Sequence, residues 1–120
     1  MSEVADAARD LIAAINAGNA EAFAGMLARD VVVEHVTLGQ RIEGKEAVLA
    51  WFAKTQAKTE ADQIEIKRLC EDGLTVWAER IDSHLIDGEW HEIPVMGILE
   101  MNASHELRLM REYFDPGLAL

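Results

Sequence analysis

Two carboxylates and an arginine are spaced so that they could form an acid–base site. Arg80, Asp82 and His84 occupy alternate positions of residues 77–85, a segment whose pattern predicts a β-strand. Because side chains alternate between the two faces of a strand, all three share one face. Glu112 lies in a second predicted strand near the C-terminus. If these faces line one apolar pocket, the arginine can hold one carboxylate charged while the other stays protonated, as acid–base catalysis requires.

The same residues also have a plainer interpretation. An Arg80–Asp82 pair that faces water is a common surface ion pair without a function. Such a pair contributes less than about 1 kcal/mol to the free energy of unfolding. Alternation alone favours this solvent-facing arrangement by a small margin. Both arrangements therefore stay open at the level of residue spacing.

Histidines offer a second kind of chemistry. His35, His84 and His91 could lie near the acidic pair if the strand registers turn them inward, and two histidines with a carboxylate can bind a metal. The sequence contains no HxH or HxxxH spacing, so we expect no metal site. A single histidine that holds a water or a substrate oxygen is the better functional alternative, and simple packing or exposure is the alternative without a function. His105 lies in a predicted turn and is expected to be solvated.

Composition limits the possible partners. The 120 residues are 50% hydrophobic, which predicts one domain, residues 1–120, with a core of its own. A net charge of -11 argues against binding to nucleic acid or to an anionic membrane and favours a neutral or weakly polar small molecule. No apolar run reaches about 18 residues, so no membrane span is predicted. The acidic start MSEVADAARD lacks a secretory pattern, so we expect a cytoplasmic protein.

The single cysteine, Cys70, excludes a disulfide within the chain and fits a reducing compartment. It has no obvious base partner, so we expect a small buried residue rather than a nucleophile. Trp51, Phe52, Trp77 and Trp90 are expected in the core or at a subunit interface rather than as stacking platforms.

Hydrophobic periodicity predicts the order helix, helix, strand, helix and then four strands joined by short turns. The predicted helices cover residues 3–17, 20–28 and 46–58. The predicted strands cover residues 31–36, 63–70, 77–85, 90–101 and 107–115, and a loop covers residues 39–44. This order indicates an α+β fold, a curved and mostly antiparallel sheet with three helices over its concave face. Such a cone encloses a pocket that is lined by the sheet residues facing the helices.

Five segments carry a resemblance to a known family. They are INAGNAEAFAGMLARDVVVEH at 15–35, GKEAV at 44–48, ERID at 79–82, VMGILEM at 95–101 and REYFD at 111–115. The first two resemble the general opening of the nuclear transport factor 2-like (SnoaL-like, cystatin-like cone) superfamily. The last three resemble the ERVD, LGVF and RDYFD segments of the limonene-1,2-epoxide hydrolase family, in the same order and at similar spacing. The resemblance covers nearly the whole chain.

The resemblance implies a cofactor-independent enzyme that adds water to a small-molecule epoxide in one step. By position, Glu112 corresponds to the base that activates the water, Arg80 to the bridging cation and Asp82 to the acid that protonates the epoxide oxygen. Glu112 replaces an aspartate of the family and adds one methylene. Val33 and His35 stand where the family holds the water with a tyrosine and an asparagine. Of these two, only His35 can form a hydrogen bond through its side chain.

The resemblance also implies which residues bind substrate and how two chains pair. The substrate-binding lining corresponds to Val33, Ile93, Val95, Met110 and Phe114, together with His84. Because His84 replaces an apolar wall residue of the family, it suggests a substrate more polar than a terpene.

Relatives usually form homodimers through the outer face of the sheet. Trp77, Ile81 and Leu85 alternate with the acid–base residues, so they are expected on that outer face.

Two other functions fit the same superfamily. One is an isomerase or cyclase of the ketosteroid isomerase or SnoaL type, and the other is a non-catalytic module that binds a small ligand. Ketosteroid isomerases place an aspartate where this chain has His35 and an acid donor near the position of Met96. Neither residue is present here, which counts against a true ketosteroid isomerase.

Overall fold

The computed structural model describes residues 2–118 and shows three helices packed on a six-stranded sheet. The helices are α1 (Glu3–Asn16), α2 (Ala20–Gly25) and α3 (Lys45–Gln56). The strands are β1 (Leu27–His35), β2 (Gln40–Glu43), β3 (Ala61–Asp72), β4 (Thr75–Ile86), β5 (Glu89–Met101) and β6 (Leu107–Phe114). Short 3-10 turns follow β1 and β6, at Val36–Leu38 and Pro116–Leu118. The predicted α+β class is confirmed.

The strands are arranged in the order β2-β1-β6-β5-β4-β3. All neighbours are antiparallel except β1 and β6, which run parallel. Strands β3 to β6 follow one another through short connections, whereas β1 comes from the start of the chain and pairs with the last strand. The sheet is therefore mostly antiparallel and curved, as predicted, and its one parallel pair joins the two ends of the fold.

The helices cover the concave face because each has an apolar side to bury. In α1, the Ser2 hydroxyl accepts hydrogen bonds from the backbone N–H groups of Val4 and Ala5, and the helix stops before Gly18, whose φ is +65°. Helix α1 packs against β3 and helix α3 against β1. The fully buried core includes Leu11, Phe23, Leu27, Val31, Val48, Val76, Leu99 and Leu107. None of the described helices is long and apolar enough to cross a membrane.

Two predicted boundaries near the N-terminus are wrong. The second helix ends at Gly25 rather than at residue 28, because Leu27 already pairs with Leu107 of β6 and is fully buried. The predicted loop at 39–44 contains strand β2, which turns back at Gly39 and pairs with β1. Hydrophobic periodicity did not show either feature, since both depend on pairing with a neighbouring strand.

The prediction that Cys70 is buried is also wrong. Strand β3 shifts register between Ile66 and Arg68, so one extra residue is inserted there. Before the shift Ile66 pairs with Arg80, and after it Cys70 pairs with Trp77. Because a bulge of one residue exchanges the two faces of a strand, Cys70 lies exposed on the outer face.

Substitution of a core residue of α1 tests the helix-on-sheet packing. Leu11→Ala removes a side chain that is only 1% exposed, and we expect it to lower the free energy of unfolding by about 2–5 kcal/mol. Asp10→Ala, at an exposed position of the same helix, should change it by less than about 0.5 kcal/mol. Urea denaturation followed by circular dichroism measures both. Equal effects of the two substitutions would contradict the described burial of α1.

Candidate active site

A cavity of about 700 Å³ lies between the helices and the concave face of the sheet. Its wall includes the expected apolar residues Ile93, Val95, Met110 and Phe114, together with side chains from α1 and α3. Polar and charged side chains from the helices and the sheet share this wall, so the cavity offers apolar surface together with hydrogen-bonding groups.

Buried polar groups identify this cavity as the candidate site. Among the described residues, the polar side chains in the buried class are His35, Arg80 and Glu112, and all three line it. A second depression of about 840 Å³ beside the start of α3 is lined by residues such as Arg29 and Lys45 and contains none of them. Burying a charged group costs free energy, and buried charged groups are concentrated at functional sites. We therefore expect chemistry in the first cavity.

Arg80 holds a carboxylate on each side. Its Nε and Nη2 donate to Asp82 Oδ1 and Oδ2 at 3.1 and 2.9 Å. Its Nη1 and Nη2 donate to Glu112 Oε2 and Oε1 at 3.0 and 2.7 Å. The structure thus brings together the three residues that the sequence singled out, with the arginine in the middle and two bonds to each acid. It supports the pocket-facing arrangement over the solvent-facing one.

Charges explain why the triad is stable away from water. Burial by itself lowers the pKa of Arg80, but the charges of Glu112 and Asp82 and the hydrogen bonds to both acids outweigh it, so the pKa is raised above its ordinary value. Arg80 therefore stays protonated at every pH at which the protein is folded. With both acids ionised the triad carries a net negative charge, and one proton on the acid pair makes it neutral.

A glycine lets the triad cross the sheet. Arg80 is on β4 and Glu112 on β6, so their ion pair passes over β5, where Gly97 pairs with Ala78 on one side and with Glu112 on the other. A Cβ atom at Gly97 would overlap Glu112 Oε2 and lie 2.6 Å from Arg80 Nη1. No role for Gly97 was predicted from the sequence. A glycine inside a strand, which often marks a close approach of another group, was the available signal.

His35 lies beside the triad. It is 8% exposed and pairs in register with Glu112 of the parallel neighbour. Its Nδ1 lies 2.6 Å from Gln40 Oε1, so with the amide oxygen as acceptor the ring proton is on Nδ1. Its ring also packs against Trp51 and Phe114, with centroids 5.2 and 5.8 Å away. These contacts fix the ring, and Nε2 is left as a hydrogen-bond acceptor.

His84 is a second polar group in the cavity wall, as the sequence predicted. Its hydrogen-bond partner, Asp62, was not predicted. His84 Nδ1 lies 2.7 Å from Asp62 Oδ1, and Thr59 Oγ1 donates to Asp62 Oδ2 at 3.1 Å. All three residues line the cavity. Asp62 was missed because only the register of β3 against β4, in which it pairs with His84, brings the two together.

The remaining sequence candidates lie elsewhere. The expectation that Val33 lines the pocket is wrong: Val33 is fully buried in the hydrophobic core and is not part of the cavity wall. His91 pairs with His84 across the strands but is exposed and outside the wall. Within residues 2–118, no group of three histidine, cysteine, aspartate or glutamate side chains could hold a metal ion.

Comparison with known families gives one match over nearly the whole chain. The family model described as the limonene-1,2-epoxide hydrolase catalytic domain matches residues 2–117. The search of curated proteins gives no match.

Solved structures share the same fold. A limonene-1,2-epoxide hydrolase-like epoxide hydrolase from M. tuberculosis has 26% identity and a TM-score of 0.85, and the alignment covers 94% of this chain and 83% of that one. A candidate ketosteroid isomerase from Kribbella flavida has 22% identity and a TM-score of 0.80, over 93% and 77% of the two chains. A candidate SnoaL-like polyketide cyclase from Shewanella putrefaciens has 12% identity and a TM-score of 0.87, over 98% and 83%. The last two show likeness of fold alone.

Gly97→Ala tests whether the triad needs the space that glycine leaves. The added methyl group would overlap the Arg80–Glu112 pair, and we expect a loss of about 1–3 kcal/mol in the free energy of unfolding. Gly25→Ala is the matched control, since nothing lies within 4 Å of a Cβ atom there, and it should be neutral or slightly stabilising. Chemical denaturation measures both. Unchanged stability of Gly97→Ala would mean that the ion pair does not cross at this point.

Proposed function

The chain belongs to the limonene-1,2-epoxide hydrolase family, and from this membership we propose that it adds water to a small-molecule epoxide through the triad of Asp82, Arg80 and Glu112. One observation carries the proposal: Arg80 makes two hydrogen bonds to each carboxylate at the wall of an apolar cavity. No cofactor takes part in the proposed reaction.

Glu112 is the proposed base. Its carboxylate is buried and accepts the shortest of the four bonds from Arg80, at 2.7 Å, so the guanidinium holds it in place. It takes a proton from a water molecule as the water oxygen attacks one carbon of the epoxide ring. His35 pairs in register with Glu112, so its Nε2 acceptor is the proposed second contact of that water. Gln40 serves to orient the ring.

Asp82 is the proposed acid. Its side chain is 18% exposed, more than that of Glu112, so it can take up a proton from solvent. In the reaction the C–O bond of the ring breaks, its electron pair goes to the ring oxygen, and Asp82 supplies the proton that completes the diol. Glu112 is then protonated and Asp82 ionised, and transfer of one proton from Glu112 to Asp82 restores the starting state. Arg80 stays charged throughout and holds both groups in place.

Isomerisation and simple binding are the competing functions. Neighbours of the isomerase and cyclase type share the fold, but no acid donor stands at the ketosteroid isomerase position. Met96, near that position, is 41% exposed and pairs with Glu79 and Tyr113, so it lies on the face of the sheet opposite the cavity. This observation favours hydrolysis over isomerisation.

Glu112→Gln tests the base. The amide keeps the size of the side chain but cannot take a proton, so diol formation should fall by about 100- to 10,000-fold. The assay is chiral chromatography of diols formed from a panel of racemic epoxides. Glu100→Gln is the control. Glu100 is hydrogen-bonded to Arg108 and is not part of the cavity wall, so this variant should keep full activity.

Three results would decide against this proposal. Full turnover by Glu112→Gln would show that another group activates the water. Exchange of a ketone α-proton without diol formation would favour the isomerase. Absence of both reactions, with a ligand still bound, would favour a binding module.

We also propose that two chains pair through the outer face of the sheet. The apolar side chains Trp77, Met96 and Tyr113 are 37%, 41% and 40% exposed there, on three adjacent strands. A contiguous apolar surface of this kind is typical of an interface. Relatives of the superfamily pair through the same face, which is the reason to name a second copy as the partner.

Sedimentation velocity tests the pairing. At micromolar concentration the protein should sediment as a dimer, and Met96→Arg should shift it to a monomer because a charge would be buried at the interface. Val36→Arg places the same charge at another exposed apolar position, which is 41% exposed, and should leave the dimer intact. If the unsubstituted protein sediments as a monomer, the proposed dimer is wrong.

A further inference from the structure

The His84–Asp62 pair has a geometry that the proposed hydrolysis does not use. Asp62 on β3 and His84 on β4 are register partners, and their side chains are 10% and 26% exposed. An ionised carboxylate only accepts hydrogen bonds, so the ring proton of His84 lies on Nδ1, toward Asp62. Thr59 donates to the other carboxylate oxygen and holds Asp62 in place. In its neutral form the ring presents the lone pair of Nε2, for which the described residues supply no side-chain partner.

Strand geometry places this lone pair next to the proposed acid. Arg80, Asp82 and His84 are successive residues of one face of β4, and each step of two residues covers about 6–7 Å. His84 is therefore the next position beyond Asp82, on the side away from Arg80. When an epoxide oxygen lies at Asp82, a substituent a few carbon atoms long can reach His84.

Apolar side chains flank Asp82 on both neighbouring strands. Asp82 pairs with Ile64 on β3 and with Ile93 on β5, and both isoleucines line the cavity. A matching substrate has an epoxide at one end, a short hydrocarbon segment, and a hydrogen-bond donor at the other end. An anionic group would meet the carboxylate of Asp62 behind His84. Lys54 and Lys58 also line the cavity, but both are exposed. His84 is therefore the proposed contact for the substrate group at this point.

We propose that His84, oriented by Asp62, binds a hydroxyl group of the substrate, so that the preferred substrates are epoxides with a hydroxyl group a few carbon atoms from the ring. This inference rests on the proposed hydrolysis and adds the substrate class to it. His84 acts here as a specificity-determining residue: the substrate hydroxyl donates to its Nε2, and no bond to His84 forms or breaks.

An alcohol and its methyl ether, which replaces the O–H donor with a methyl group, test the inference. 3,4-Epoxybutan-1-ol can donate a hydrogen bond, and its methyl ether, 1,2-epoxy-4-methoxybutane, cannot. One hydrogen bond to a largely buried acceptor corresponds to about a 3- to 10-fold preference for the alcohol in kcat/KM. Diol formation from each compound gives this ratio for the unsubstituted protein.

Variants separate substrate recognition from a structural role of the histidine. His84→Asn keeps an amide that can donate to Asp62 but removes the atom at Nε2, so the ratio should fall to about one. His84→Gln extends its amide toward the position of Nε2 and should restore part of the preference. Asp62→Asn frees the ring to exchange its proton between the two nitrogens and should also lower the ratio. His91→Asn, the same change at the exposed cross-strand neighbour, should leave the ratio as it is.

The outcomes distinguish this inference from the function on which it rests. Failure of the unsubstituted protein to convert these two epoxides and every member of the epoxide panel overturns the proposed hydrolysis, whereas diols from the panel with no conversion of the alcohol overturn this inference alone. Conversion of both with equal kcat/KM overturns the recognition of a hydroxyl group alone. A preference that survives in His84→Asn overturns the role of His84. A preference for 3,4-epoxybutanoate over the alcohol shows that the site selects an anion, and it overturns the inference too.

Discussion

The site depends on one interaction, the enclosure of the Arg80 guanidinium between two carboxylates. Each of these charges costs several kcal/mol to remove from water, and only good geometry and a full set of hydrogen bonds compensate that cost. The planar fork of arginine meets the requirement, since it directs four bonds to Asp82 and Glu112 at once. A lysine at this position could not bridge both acids in the same way.

That interaction constrains the sheet beneath it. The acids and the arginine come from β4 and β6. The strand between them therefore needs a residue without a side chain where the ion pair crosses it. Gly97 meets this requirement, and its register partner Ala78 is also small. The chemistry and the backbone are therefore tied together: the registers of β4, β5 and β6 are set so that small residues lie under the charged ones. Candidate isomerases and cyclases have the same architecture, so fold likeness carries no function by itself.

Alternation and helical periodicity predicted the class of the fold and the face that carries Arg80, Asp82 and His84. They did so because those patterns reflect burial, which acts on each element separately. Features that depend on how strands meet were missed. Asp62 reaches His84 only through the β3–β4 register, and the bulge after Ile66 exchanges the faces of β3, so that Cys70 turns outward while Leu69 joins the core side. Val33 was expected in the pocket because it stands where the family holds the water with a polar side chain, but helices cover that part of β1 and seal Val33 into the core.

The parallel pairing of β1 with β6 has a consequence for the kinetics of folding. Glu34 and Arg111, which form an ion pair across these strands, are 77 residues apart in the chain. Contacts of such high sequence separation form late, because the entropy of closing a long loop is lost before the contacts stabilise the chain. His35 and Glu112 meet through the same pairing, so the cavity is complete only after the first strand has docked on the last. During synthesis on the ribosome, the N-terminal half of the cone has to wait for β6 to emerge before the site can exist.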